Sequence, residues 1–214
     1  MADHFSSVAD HPGLANVLEQ IYGKEFFQHW LDFREYPVAR MIHMVLGIAF
    51  VLIAPLQFVP RVRKAFPRVH KVIGRLSLAF SVVLFVTAWI FAFNITYTGL
   101  QEQIPTVTYT VIYAWLIYMA LKNIRAGNVA RHREWMIRAF AMMMGISATR
   151  VWFALFLKTT ETTSDQFFSS ILWLGLGVNL LIAEIWINLT RPAQASSPRV
   201  ERRPAVGVDA RAMG

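Results

Sequence analysis

The chain has 214 residues, 56% of them hydrophobic and only 16% charged, whereas a soluble domain carries about a quarter charged residues. The apolar residues come in long blocks between short charged loops, the pattern of a chain whose solvent is lipid, and the length leaves no room for a second domain. The formal net charge of +8 does not point to nucleic acid, because the basic residues sit at the ends of apolar blocks, and the lack of cysteine excludes disulfides, iron–sulfur clusters, thiolate metal sites and cysteine nucleophiles.

Residues 1–37 carry scattered charge and no signal-peptide core. Within them, 13–34 reads as an amphipathic helix. Leu14, Val17, Leu18, Ile21 and Tyr22 recur at helical spacing, and Phe26, Trp30 and Phe33 continue the stripe. Such a helix is expected to lie flat in the membrane interface.

Five apolar blocks follow, at 38–59, 72–95, 106–121, 135–157 and 167–189. Each is long enough to cross about 30 Å of hydrocarbon once tilt is allowed for. Pro55 is expected to kink the first, because it removes a backbone donor. The stretch 191–214 is rich in Pro, Arg, Ser and Ala and reads as a disordered basic tail.

The loop charges set the orientation. Arg61, Arg63, Lys64, Arg68 and Lys71 follow the first block, Lys122, Arg125, Arg131 and Arg133 the third, and Arg191, Arg199, Arg202 and Arg203 the last. The second loop has no Lys or Arg and the fourth only Lys158. The positive-inside rule then places the N-terminus outside and the C-terminus in the cytoplasm, in a cell's inner membrane.

The second block opens with Arg68, His70, Lys71 and Arg75, the fourth with Arg131, His132, Arg133 and Arg138. Both set two arginines seven residues apart on one helical face with a histidine between. The expected architecture is therefore an all-α membrane protein of two similar hairpins forming a four-helix core, plus a fifth helix.

Several motifs occur in a fixed order: His43 with Gly47, Pro55-Leu56-Gln57-Phe58, His70-Lys71 with Gly74-Arg75, His132-Arg133 with Trp135-Met136 and Arg138, Thr149-Arg150, and Asn179-Leu180-Leu181 with Ala183-Glu184. Together they resemble the bacterial membrane protein family grouped as domain of unknown function 2306, over about residues 39–188. Lys71 stands where that pattern more often has arginine. The resemblance implies a membrane-embedded helical fold and this set of residues; it implies no reaction.

Charged groups inside a bilayer are costly, so each needs a reason. An inner layer holds Gln57, His70, Arg75, His132, Arg138, Glu184 and Asn188. Glu184 reads as the one acid within a span, at the depth of Arg75 and Arg138. One reading is a structural ion pair of Glu184 with these arginines, which otherwise snorkel to the headgroups. The other is a basic pocket for an anionic lipid headgroup, heme propionates or a phosphorylated metabolite.

An outer layer holds His43 and Arg150 at similar depth. His43, Gly47, Phe50, Ala54 and Gln57 form a stripe expected to face the interior. Arg150, with no acid beside it, suits an anionic ligand or helix-end carbonyls. Tyr109, Tyr113 and Asn94, or Glu35 and Glu161, are expected as its partners, while His43 suits interhelical bonding.

The most specific functional reading is b-type heme and membrane electron transfer. His70 and His132 would be axial ligands, Arg75 and Arg138 would hold propionates, and His43 and Arg150 would serve a second, outer site. The alternatives are a small-molecule or lipid transporter or binding protein, and a non-catalytic subunit of a membrane complex or homo-oligomer. No catalytic residue stands out: there is no Gly-x-Ser-x-Gly elbow and no His-Glu-x-x-His zinc motif. Met142, Met143 and Met144 point in different directions around a helix, which suits packing better than copper.

Overall fold

The computed structural model describes residues 35–95, 98–159 and 164–191, together with Gly13, Asn16, Val17 and Gln20, and their side chains except at 150, 153, 154 and 156–169. Most of the expected interfacial helix over 13–34 and all of the tail from 192 lie outside the described residues. What is described is helical, without a strand.

Proline opens three of the described helices. Helix α1 is Pro37–Ile53, α2 is Pro60–Ala65 and α3 is Pro67–Asn94, each with Pro in its first turn. A helix's first N–H groups have no partner in the helix, so Pro loses nothing there, and its ring drives the preceding residue out of helical geometry. Tyr36, Val59 and Phe66 accordingly have φ of −121°, −72° and −129° with positive ψ. Pro55 acts differently. It cannot donate back to the preceding turn, and the chain passes from α-helix into a 3-10 turn over Ala54–Phe58.

Helix α4 is Leu100–Arg125, with Gly99 at φ +65° before it. The turn into α5, Val129–Thr159, is built for a reversal. Gly127 takes φ +75°, the Asn128 amide bonds the Asn123 carbonyl at 2.9 Å, and the Asn128 side chain accepts the Arg131 amide at 3.1 Å. One helix is thus closed and the next capped within three residues. Helix α6 is Ser164–Thr190.

Most helices run further than their apolar blocks, because helix continues into the headgroup layers. The third expected span, 106–121, becomes Leu100–Arg125. Glu102 then lies inside a helix at 9% exposure, so Glu184 is not the one acid within a span. Among the described residues, four helical segments are long and apolar enough to cross a membrane: Pro37–Phe58, Pro67–Asn94, Leu100–Arg125 and Ser170–Thr190. Helix α5 is 31 residues long, and its side chains at 150, 153, 154 and 156–159 lie outside the described residues, so that count does not cover its apolar stretch.

Helix α1 packs along α3, α3 on α4, α4 along α5, and α6 on both α5 and α4. The core lies where the first four long helices meet, around Phe50, Leu84, Phe85, Tyr109, Tyr113, Leu116 and Met142, with Leu176 from α6. Met142 and Met143 are buried in it. Phe140 of α5 stacks on Phe50 and contacts Phe58, which joins α1 to α5. The outside is apolar as well: Met41, Met44, Val45, Ile48 and Leu52 form one exposed face of α1. In water such a face would be a liability; in hydrocarbon it is solvated.

Candidate functional site

All the long helices run antiparallel to their neighbours in sequence, so the charged loops gather at one end, here called the basic end. Two groups of polar side chains form there.

The first is fully paired. Arg138 of α5 grips Glu184 of α6 with both arms of its guanidinium; the Nη2–Oε2 bond is 2.9 Å. The arginine side chain is 17% exposed and the carboxylate 45%. Trp135, one turn earlier, lies under the guanidinium carbon at 4.8 Å, a cation–π contact. Arg133 bonds Thr190 at 2.9 Å, and Arg191 bonds Glu134 at 3.0 Å. These contacts hold the end of α6 against the start of α5.

The second group is not paired. Gly74 lies one turn along α3 from His70, and Ser77 one further turn, so the three share a face. Gly74 makes room for Gln57 of the 3-10 turn: a Cβ at 74 would stand 3.1 Å from Gln57 Oε1. Gln57 Nε2, His70 Nδ1 and Ser77 Oγ are buried, with no hydrogen-bond partner among the described residues. Ser77 is only 7% exposed. His70 lies within electrostatic reach of Arg63 and His132. His132 donates from Nδ1 to the Ala120 carbonyl at 2.9 Å, so its neutral ring presents the lone pair on Nε2.

Arg75 does not join this group. It is five residues from His70, well around the helix, and is exposed, with no hydrogen bond or ion pair among the described residues. The expected trio of Glu184, Arg75 and Arg138 therefore contains one pair, and both expected propionate clamps are placed elsewhere: Arg138 is held by Glu184, and Arg75 faces outward.

At the opposite end, His43 Nδ1 lies 2.6 Å from Thr87 Oγ1. Thr87 directs its own proton to the Val83 and Leu84 carbonyls, 3.0 Å each, so its oxygen accepts from the histidine. Phe91 meets the His43 ring edge-on at 5.4 Å. Below His43, a crevice of about 70 Å³ runs between α1, α3 and α5, past Gly47, Phe50, Phe85 and Met143. The backbone of Arg150 lies in α5, and its side chain is outside the described residues. Two of the groups expected to serve it are engaged elsewhere: Tyr109 donates to the Leu172 carbonyl at 2.6 Å, and the Asn94 amide donates to the Ile90 carbonyl at 2.8 Å.

The sequence reading singles out neither Thr87, which sits in an apolar run, nor Ser77. The signal for Ser77 was its place at i+7 from His70, across Gly74.

Long helices with apolar outer faces, polar groups drawn inward and a basic end are those of an integral membrane protein. The chain belongs to the family described as predicted membrane protein DUF2306, whose model matches residues 40–187. No curated protein and no solved structure matches it.

Proposed function

We propose that the working site is the unpaired group at the basic end, and that it binds a small molecule bearing carboxylate or phosphate oxygens. The observation that carries this is the set of three buried polar atoms without partners on Gln57, His70 and Ser77. An unpaired buried polar group costs about 1–3 kcal/mol, so each calls for an explanation. The amide, the hydroxyl and a protonated ring nitrogen are all donors, and Arg63 adds positive charge nearby. The acids described at this end, Glu134 and Glu184, are held by Arg191 and Arg138. Donors without acceptors beside uncompensated cations favour an anion.

The bundle carrying this site is read as five spans, with α5 crossing between α4 and α6 and Glu184 offsetting the charge of Arg138. The loop charges favour a basic end on the cytoplasmic side of a cell's inner membrane. The ligand then enters from the cytoplasmic side or from that leaflet.

A second reading keeps b-type heme. It is favoured by His70 and His132 standing within mutual electrostatic reach, and by the Nδ1 anchor that leaves His132 Nε2 as the ligating atom. Arg63 would then face a propionate. An absorption spectrum of protein expressed with heme precursor separates the readings. A Soret band and a sharp reduced α band, lost in both His70→Ala and His132→Ala, identify heme. A flat visible spectrum from folded protein removes heme and leaves the colourless anion. An acidic ligand identified by mass spectrometry after denaturation, and absent from Ser77→Ala protein, supports the first reading. No ligand in either spectrum overturns both.

A further inference from the structure

Two helices carry the same arginine spacing, and only one of them is covered. On α5, Arg138 is neutralised by Glu184 and Arg133 bonds Thr190, both from α6. Seven residues past Arg138, Gly145 lets the α6 backbone approach so closely that a Cβ there would lie 2.8 Å from the Gly175 carbonyl oxygen. On α3, Arg75 stands at the equivalent place in the repeat, seven residues after Arg68. Arg68, Lys71 and Arg75 fall at i, i+3 and i+7 on one exposed face, flanked by exposed Val72 and Leu76. None of the three has an ion pair among the described residues, and α3 contains no acid.

A helix does not fit this face as α6 fits α5. Seven residues past Arg75 is Val82, 63% exposed, where α5 has Gly145. A branched side chain holds a partner backbone away, and tight helix pairs in lipid need small residues at the crossing.

We propose that the Arg68–Lys71–Arg75 face of α3 binds the phosphate of an anionic phospholipid. Helix α3 has 28 residues, about 42 Å at 1.5 Å per residue, against about 30 Å of hydrocarbon. The excess of about eight residues, placed at the basic end, puts Arg75 at the hydrocarbon boundary, where its guanidinium meets lipid phosphates. Val72, Leu76 and Val82 then lie along the acyl chains. Three cations with no protein acid favour a net-negative headgroup over a zwitterionic one. This site is on a different face of α3 from His70 and Ser77 and does not depend on their ligand.

The test is thermal unfolding of delipidated protein in detergent, titrated separately with phosphatidylglycerol, phosphatidylcholine and inorganic phosphate. Phosphatidylglycerol is expected to raise Tm by several degrees, and the other two to leave it unchanged. Arg68→Gln/Arg75→Gln is expected to lose most of the shift, and the milder Lys71→Gln, which stays folded if the double variant does not, part of it. An equal shift in the variants, an equal shift with phosphatidylcholine, or the full shift with inorganic phosphate alone overturns the proposal. So does a dimer by light scattering that requires Arg75, which would make the occupant a second helix.

Discussion

Gly145 of α5 and Gly175 of α6 meet backbone to backbone. A Cβ on Gly175 would lie 2.7 Å from the Gly145 carbonyl oxygen and 2.8 Å from the Thr149 methyl group, and the obstacle in the first case is main chain that cannot swing aside. Gly175→Ala is therefore expected to cost about 1–3 kcal/mol through overpacking, despite the better helix propensity of alanine. Gly177, two residues on, has nothing within 4 Å of its added Cβ, and Gly177→Ala should be neutral or slightly stabilising. Unfolding of the two variants in detergent checks the contrast.

The ion pair below that crossing should contribute less than a fully buried one. Removing one partner of an exposed pair costs up to about 1 kcal/mol and of a buried pair about 3–5. With Glu184 at 45% exposure, Glu184→Gln is expected near 2 kcal/mol. A double-mutant cycle with Arg138→Gln should recover a coupling of similar size. A coupling near zero would show that Arg138 is held by Trp135 and the headgroups instead.

Two neighbouring serines should respond in opposite ways. Ser81 donates to the Leu78 carbonyl at 2.7 Å, so Ser81→Ala should destabilise by about 1 kcal/mol. Ser77 is buried without a partner, so Ser77→Ala should leave ligand-free protein as stable or slightly more so. Chemical unfolding of ligand-stripped protein reads both.

His43 should be the Nδ1–H tautomer when neutral, because Thr87 has no proton left to give it. Nitrogen NMR of labelled histidine should show this in the wild type. Thr87→Val should remove the preference and cost about 1 kcal/mol.

The natural lack of cysteine allows a direct test of topology. Leu100→Cys and Ala126→Cys sit at exposed positions at opposite ends of α4. A membrane-impermeant thiol reagent applied to intact spheroplasts should label the first, and the second only after lysis. The reverse pattern would place the basic end outside.

Much of this fold is written in the chain. Pro37, Pro60 and Pro67 each open a helix, and Asn128 after Gly127 marks a cap after a stop. Counting residues also set Glu184 and Arg138 at one depth. Depth carries no azimuth, however. Arg75 and Arg138 each stand seven residues after another arginine, yet α6 covers one and leaves the other exposed, a difference made by where α6 docks. The start of α4 was hidden because Gln101, Glu102 and Gln103 read as a polar loop, although burial takes Glu102 into the helix. Which hydroxyl bonds its own backbone, as Ser81 does and Ser77 does not, depends on rotamer and neighbours rather than on residue type.

The central claim is that Gln57, His70 and Ser77 hold an acidic ligand at the basic end. It is tested most directly by native mass spectrometry of protein gently extracted from its own membranes, beside the Gln57→Leu/Ser77→Ala variant. The account predicts a non-covalent adduct bearing a carboxylate or phosphate in the wild type, reduced at least tenfold in the folded variant. Wild-type protein without such an adduct, or the same adduct at the same occupancy in both, would contradict it.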